Sequence, residues 1–287
     1  MTRDESIIEL GVWLQTAAGR TMTGWEQQRL DQAVTDAFGY HALQLGMPEL
    51  EGLRANRMPH RWVASDSLQV PQTLALPPPQ DASITTLAND MPVSLHCQFD
   101  ALPLPNHSID LVVLPHALEL ARDPHLTLRE VERVLVPDGR VVITGFNSAS
   151  LWGLRQRLGQ LKRSAGFGRH KALYLPRSDD FIGYWRLRDW LRLLGFEIES
   201  GSFGCYRPAI RSAAWLERYA WMDGVGDRWW PVLGAVYMLT AVKRVRGMRL
   251  VGLLPAERRK LSAPAAAVNR EREPALKTAS PQRDRTD

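Results

Sequence analysis

The sequence has little cysteine, no long apolar run and no strong compositional bias. Its two cysteines, Cys97 and Cys205, cannot form a disulfide framework or a C-x-x-C metal site. The longest uncharged apolar stretch, residues 229–242, contains a proline and is shorter than the roughly 20 residues that a membrane-spanning helix needs. With 45% apolar and 23% charged residues, the chain of 287 residues is neither collagen-like nor largely disordered, and it is typical of soluble globular proteins.

The first residues include acids and do not form the apolar segment of a signal peptide. We therefore predict no signal peptide and expect a cytoplasmic protein. The net charge is +5, but residues from Lys243 onward carry +7 and residues 1–242 carry −2. A basic tail attracts polyanions loosely and does not by itself predict a nucleic-acid partner. We predict an N-terminal extension over 1–23, one domain over 24–250 and a basic, disordered tail over 251–287.

Helix-like and strand-like segments alternate along the chain, which is typical of α/β proteins. Helices are predicted over 24–38 (with Glu26 on the surface), from Pro124 to Leu135, over 151–161 and over 187–194. Asp123 followed by Pro124 is a strong helix start, and residues 137–139 predict the turn that ends this helix. Strands are predicted over 40–45, 61–65, 93–99, 109–114, 140–144, 196–203 and 235–245, and residues 70–92 form a proline-rich loop.

Residues 97–145 carry the most informative pattern. The pattern begins with Asp100-Ala101-Leu102-Pro103, followed by Ser108-Ile109-Asp110. It continues with Asp123-Pro124 and with the series Glu130, Arg133, Val134 and Leu135, and it ends with a turn before a strand. This dense pattern resembles the class I S-adenosylmethionine-dependent methyltransferases of the type 11 group. The resemblance implies a Rossmann-like fold, with a mostly parallel central sheet flanked by helices and a helical lid, over residues 151–186, after the fifth strand.

The same resemblance implies S-adenosyl-L-methionine as the cofactor. In the family, the acid at Asp100 accepts a hydrogen bond from the adenine amino group, the Ala101 amide faces an adenine ring nitrogen, and Pro115 lies at the next strand end. A carboxylate can accept such a bond, and ligands of open parallel sheets bind at the carboxyl ends of strands. The alternative is that Asp100 only organises its turn.

The front half departs from the family pattern, in which a glycine-rich loop follows an acid. Here Gln44 replaces the acid, and Gly46 is the glycine that remains before Met47 and Pro48. By their places in the pattern, the resemblance makes Gln44 and Gly46 candidate cofactor-binding residues. Asp66 lies 20 residues after Gly46, the spacing of a ribose-binding acid; otherwise it is a solvated loop residue. A small proteobacterial group is similar to residues 24–245, including this shortened front half, and its members are classed as methyltransferases.

His116 follows the fourth strand and is the candidate catalytic residue, as a base or as a residue that positions the acceptor. A structural hydrogen-bonding role is the alternative. The four histidines from His96 to His125, with Cys97, lack the spacing of metal ligands, so no metal site is predicted.

Residues 151–171 contain six Lys or Arg and no acid, with leucines along one face of the predicted helix. Such a lid could bind an anionic substrate, an acidic carrier protein or a membrane surface; we favour a solvated helix packed by its leucines. Residues 181–237 hold 13 of the 23 aromatic residues, and these either wall an apolar acceptor pocket or, as we favour, fill the core.

The leading hypothesis is a methyltransferase acting on a small molecule, with anionic and carrier-bound compounds among the candidates. The alternative is a non-catalytic binding or regulatory protein on the same scaffold that has lost its cofactor. Nucleic-acid methylation is disfavoured because the Asn-Pro-Pro-Tyr type of motif is replaced by residues 114–117. The sequence does not define the acceptor or the oligomeric state.

Overall fold

A seven-stranded sheet organises the chain in the computed structural model, which describes residues 3–66, 93–164, 174–175 and 181–244. The predicted proline-rich loop and basic tail, and part of the predicted lid, lie outside these residues. The strands are β1 (His41–Leu45), β2 (His60–Ser65), β3 (Leu95–His96), β4 (Ile109–Pro115), β5 (Leu135–Phe146), β6 (Phe196–Gly204) and β7 (Val236–Lys243).

The strand order is β3-β2-β1-β4-β5-β7-β6. Strands β1 to β5 are parallel, and β7 pairs antiparallel with both β5 and β6. The chain therefore reverses its strand order beside β1, where β1 lies between β2 and β4. This reversal opens a crevice at the carboxyl ends of β1 and β4, the place where sheets of this kind bind ligands. The predicted mostly parallel α/β fold is confirmed.

Helices cover both faces of the sheet. They are α1 (Arg3–Leu14), α2 (Ala17–Thr35), α3 (Ala117–Leu120), α4 (Pro124–Val134), α5 (Leu151–Ser164), α6 (Tyr184–Leu193), α7 (Ala213–Arg218) and α8 (Trp221–Trp229), followed by a 3₁₀ turn at Pro231–Leu233. One core layer joins α1 and α2 to alternate sheet residues such as Leu111 and Val113, and the other joins α4 and α6 to Val112 and Leu114. Alternate residues of a strand face opposite sides, so β4 contributes to both layers.

The local signals around β4 and β5 are confirmed. Asp123 caps α4 by accepting hydrogen bonds from the amides of His125 and Leu126. The predicted turn lies inside β5, where the pairing register jumps from Leu135 to Arg140 and the residues between them loop out. Asp138 has a φ of 60° there, a left-handed conformation that suits a short polar residue in a tight turn.

Three expectations about surfaces and cores were wrong. Glu26, which the periodicity predicts on the surface, is completely buried. The α5 leucines are exposed and do not belong to either core layer. Four tryptophans expected in the core are exposed as well: Trp215, Trp221, Trp229 and Trp230. Periodicity identifies an apolar face but does not say what that face contacts.

Candidate functional site

A pocket of about 490 Å³, counting its open mouth, lies at the carboxyl ends of the parallel strands. Gly46 follows β1, Asp66 follows β2 and Phe99 follows β3, and all three line it. On the β4 side, α3 contributes Ala117 and Leu120.

The N-terminal helix forms another wall of the pocket. Leu10, Gly11 and Leu14 of α1 line it, although sequence reasoning treated residues 1–23 as an extension outside the domain. Trp13 anchors the helix: its indole N–H donates to the Tyr174 carbonyl at 2.7 Å, and its ring packs edge-on against Trp152. The helix is therefore part of the domain and encloses the pocket.

Gln44 stabilises the loop that replaces the glycine-rich motif. Its side-chain amide donates to the carbonyl oxygens of Gly46, Met47 and Leu50 at 3.2, 2.9 and 2.7 Å, and its oxygen accepts from the Gly52 amide at 2.9 Å. Gln44 is buried and does not line the pocket, so its side chain shapes the loop from behind. A carboxylate could not make the three donations, because it has no N–H group.

Two residues of this loop have left-handed backbone conformations, Gly46 with φ 78° and Met47 with φ 45°. Met47 and Pro48 line the pocket beside Gly46 instead of filling it. A pocket is therefore present beside this loop although the glycine-rich sequence is missing.

Asp66 lies at the end of β2, where the spacing from Gly46 predicts a ribose-binding acid. It shares the pocket lining with Ser65 and Glu49. Burial and, to a lesser degree, the nearby Asp66 carboxylate raise the pKa of the Cys97 thiol to about 11. Cys97 is thus a neutral thiol at physiological pH and not a nucleophile.

Asp100, Ala101 and Pro115 are close in sequence to pocket residues but do not line the pocket. Asp100 and Ala101 directly follow Phe99, and the Ala101 amide donates to the Gln98 carbonyl at 3.2 Å. Pro115 is buried at the end of β4, beside Thr144 of β5. The structure thus brings Gly46 and Asp66 together in one pocket and leaves these three residues outside its lining.

His116 is completely buried between two glutamates. Its Nε2 lies 2.8 Å from Glu26 Oε1 of α2, and its Nδ1 lies 2.7 Å from Glu119 Oε2 of α3. The second Glu119 oxygen accepts from the Phe146 amide at the end of β5, at 2.7 Å. Sequence reasoning missed both glutamates; the three-residue spacing to Glu119 was a usable signal, whereas Glu26 is 90 positions away.

This cluster holds a buried positive charge. Burial alone lowers the pKa of His116, but the two carboxylates and their hydrogen bonds outweigh it and raise the pKa to about 10. At neutral pH both ring nitrogens carry protons and donate to carboxylates, so the ring has no lone pair with which to accept a proton. The His116 amide also donates to Thr144 O, and its backbone is left-handed with φ 50°. His116 therefore joins α2, α3 and β5 directly behind Ala117, a residue of the pocket wall.

Comparison with known proteins agrees with this architecture. The type 11 model of the methyltransferase domain matches residues 76–143. The uncharacterized protein YafS of Escherichia coli (strain K12) is 27% identical over 195 residues, which cover 68% of each chain. Demethylmenaquinone methyltransferase of Chlamydia pneumoniae is 41% identical over 49 residues, covering 17% of this chain and 21% of that protein.

Among solved structures, a chain from the complex between the Haloferax volcanii Trm112 methyltransferase activator and a methyltransferase aligns with a TM-score of 0.50 and 16% identity. The alignment covers 86% of this chain and 99% of that one, and it supports the fold alone. Taken with the strand order, these findings show that the chain has the fold of these structures and that its segment 76–143 is similar to the type 11 methyltransferase domain.

Proposed function

We propose that the protein is a methyltransferase that binds S-adenosyl-L-methionine in the pocket beside Gly46 and transfers its methyl group to a small molecule. The observation that supports this best is the shared lining: Gly46 and Asp66, the second predicted from its spacing to the first, lie in one pocket at the strand reversal. Bound there, the cofactor supplies an electrophilic methyl group on a sulfonium.

The residues of the pocket suit the parts of such a cofactor. Asp66 provides a carboxylate that can accept hydrogen bonds from ribose hydroxyls. Phe99 and Ala117 give apolar surface for a flat base, and Gly46 lets the backbone approach closely because it has no side chain. A Cβ added at Gly46 would lie 3.5 Å from Ala117 and from the Phe99 ring, inside this space. Contacts of Asp100, Ala101 and Pro115 with the adenine side remain predictions from the resemblance.

The protein's main contribution to methyl transfer is alignment and exclusion of water, because the reaction is an in-line displacement with a good leaving group. We propose that His116 acts as a positioning residue and not as a base. Its hydrogen bonds fix α3, and α3 carries Ala117 and Leu120 into the pocket wall. A proton that the acceptor loses therefore has to leave by another route, either to solvent or to a carboxylate such as Glu49 or Asp66.

The alternative function is a binding or regulatory protein that no longer uses the cofactor. The observation that favours it is the loss of the family's acid at Gln44, whose side chain is fully used inside the loop. In this case the fold would retain the pocket but bind a different molecule there.

Titration calorimetry with S-adenosylmethionine and S-adenosylhomocysteine distinguishes the two functions. For a methyltransferase we expect a micromolar Kd for both, weakened about tenfold in Asp66→Ala, which equals about 1.4 kcal/mol. Asp36→Ala, which removes an exposed carboxylate outside the pocket, should bind as the wild type does. Absence of binding at millimolar cofactor would favour the non-catalytic alternative.

A further inference from the structure

Helix α5 directs its apolar face towards solvent. Leu151, Leu154, Leu158 and Leu161 recur at helical spacing and form one stripe, here named the leucine face. These side chains are 46, 54, 49 and 63% exposed. Single exposed leucines are ordinary, but four in a row on one helix form a continuous apolar strip.

The opposite face of α5 anchors the helix to the domain. Trp152 is buried and its indole N–H donates to the Arg207 carbonyl at 2.7 Å. Gln156 is buried too, and its side-chain oxygen accepts from the Leu175 amide at 3.0 Å. Because α5 is held through this side, the leucine face points away from the core, and its four leucines are not among the described residues of either core layer.

The segment that carries the leucine face is basic. Arg157 is exposed on α5, Arg155 donates to the Ala209 carbonyl and lies over the Tyr174 ring, and the sequence of residues 151–171 contains six Lys or Arg and no Asp or Glu. An apolar stripe bordered by basic residues is the pattern of helices that lie in the surface of an anionic bilayer. Such a helix lies on the membrane and does not cross it, and no helix among the described residues is long and apolar enough to cross one.

The positive charge of this segment also distinguishes between the possible binding partners of the leucine face. A second copy of the chain would bring one basic face against another. The chain's own C-terminal segment, from Lys243 onward, carries a net +7 and would be repelled as well. An anionic bilayer offers negative headgroups for the arginines and an acyl boundary for the leucines. We propose that α5 docks the protein on an anionic phospholipid membrane through the leucine face.

Two exposed tryptophans, Trp229 and Trp230, precede the 3₁₀ turn. The Asn147 side chain binds that turn to the segment before α5 by donating to Val232 O at 2.7 Å and to Gly234 O at 2.9 Å. Exposed tryptophan side chains favour the membrane–water interface.

Vesicle flotation with the full chain tests the proposal. We expect binding to vesicles of equal parts phosphatidylcholine and phosphatidylglycerol at least about tenfold above binding to pure phosphatidylcholine, with a decrease at about 0.5 M salt. The double variant Leu154→Ser/Leu158→Ser should lose about tenfold in binding to the anionic vesicles, because each serine removes buried apolar surface. It keeps every charge, including those of the basic C-terminal segment.

Leu193→Ser is the matched control, since Leu193 is 86% exposed on α6, outside the leucine face; it should bind as the wild type does. Circular dichroism confirms that both variants fold.

Equal binding of the double variant and the wild type, or no preference of the wild type for anionic vesicles, would overturn the proposal. A dimer in light scattering that the double variant abolishes, without vesicle binding, would assign the face to self-association. Leucine-dependent binding of soluble polyglutamate without vesicle binding would assign it to an acidic protein, and both outcomes contradict membrane docking.

Discussion

The β4–α4–β5 side of the sheet follows the family's sequence pattern, whereas the β1–β2 side departs from it, yet both sides line the same pocket. On the first side, α3 places Ala117 and Leu120 in the wall. On the second, Gln44 holds the loop after β1 through four hydrogen bonds, and Gly46 keeps its left-handed conformation. The comparison shows how a loop without the family's glycine-rich motif can be held in place by a buried side chain that bonds to its backbone.

The two sides also differ in the kind of interaction that stabilises them. The β4 side depends on charge, through His116 and its two glutamates. The β1 side depends on neutral hydrogen bonds from Gln44. The predictions below test this difference, beginning with the largest expected effect.

Removing the charged His116 side chain from the β4 side should cause the largest loss of stability. His116→Ala leaves Glu26 and Glu119 as buried carboxylates without their cation, which costs about 3–5 kcal/mol of unfolding free energy. Chemical denaturation of this variant and of His96→Ala measures the effect, since His96 is exposed on β3 and should change stability by less than about 0.5 kcal/mol. A loss below about 1 kcal/mol for His116→Ala would show that the cluster is not an important source of stability.

The unfolding free energy should also depend on pH through the protonation of His116. The pKa of His116 is raised from 6.5 to about 10 in the folded protein, so protonation favours folding. This contribution is complete below about pH 6.5 and is lost as the pH rises towards 10. Denaturation at several pH values measures it, with Glu119→Gln as the comparison variant. With one carboxylate gone, that variant should lose less stability over this range and complete its loss at a lower pH; an identical profile would contradict the assignment.

Restoring the family's acid on the β1 side should destabilise the protein. Gln44→Glu replaces three hydrogen-bond donations with a carboxylate facing the carbonyl oxygens of Gly46, Met47 and Leu50, at a cost of about 2–3 kcal/mol. Gln160→Glu makes the same chemical change at an exposed position of α5 and should have little effect. Thermal denaturation compares the two. A Gln44→Glu variant as stable as the wild type would show that the loop does not depend on the Gln44 amide.

The smallest expected effect concerns the glycine that remains. Gly46→Ala places a side chain at φ 78°, which costs about 1–2 kcal/mol, although the added Cβ has room at 3.5 Å from its neighbours. Gly224→Ala serves as control because no atom lies within 4 Å of a Cβ at that helical position. Stability should therefore fall only for Gly46→Ala, and a cost equal to that of the control would mean that the loop relaxes.

Local patterns predicted the β4–α4–β5 unit because its signals are short-range: Asp123 caps its own helix, and the turn lies within β5. They also brought Gly46 and Asp66 to one site, since parallel strands end at a common edge. The sequence did not reveal the partnership of Glu26 with His116, because nothing local links two residues 90 positions apart. Nor did periodicity show whether the α5 leucines face the core, because that depends on which side of the helix Trp152 and Gln156 bind.

The most direct test of the account is a crystal structure of the protein soaked with S-adenosylhomocysteine. We expect electron density for the ligand in the pocket between Gly46 and Phe99, with the ribose hydroxyls within hydrogen-bonding distance of Asp66. Ligand bound at any other surface, or a pocket that stays empty at millimolar concentration, would contradict the proposal that this sheet edge still binds the family's cofactor.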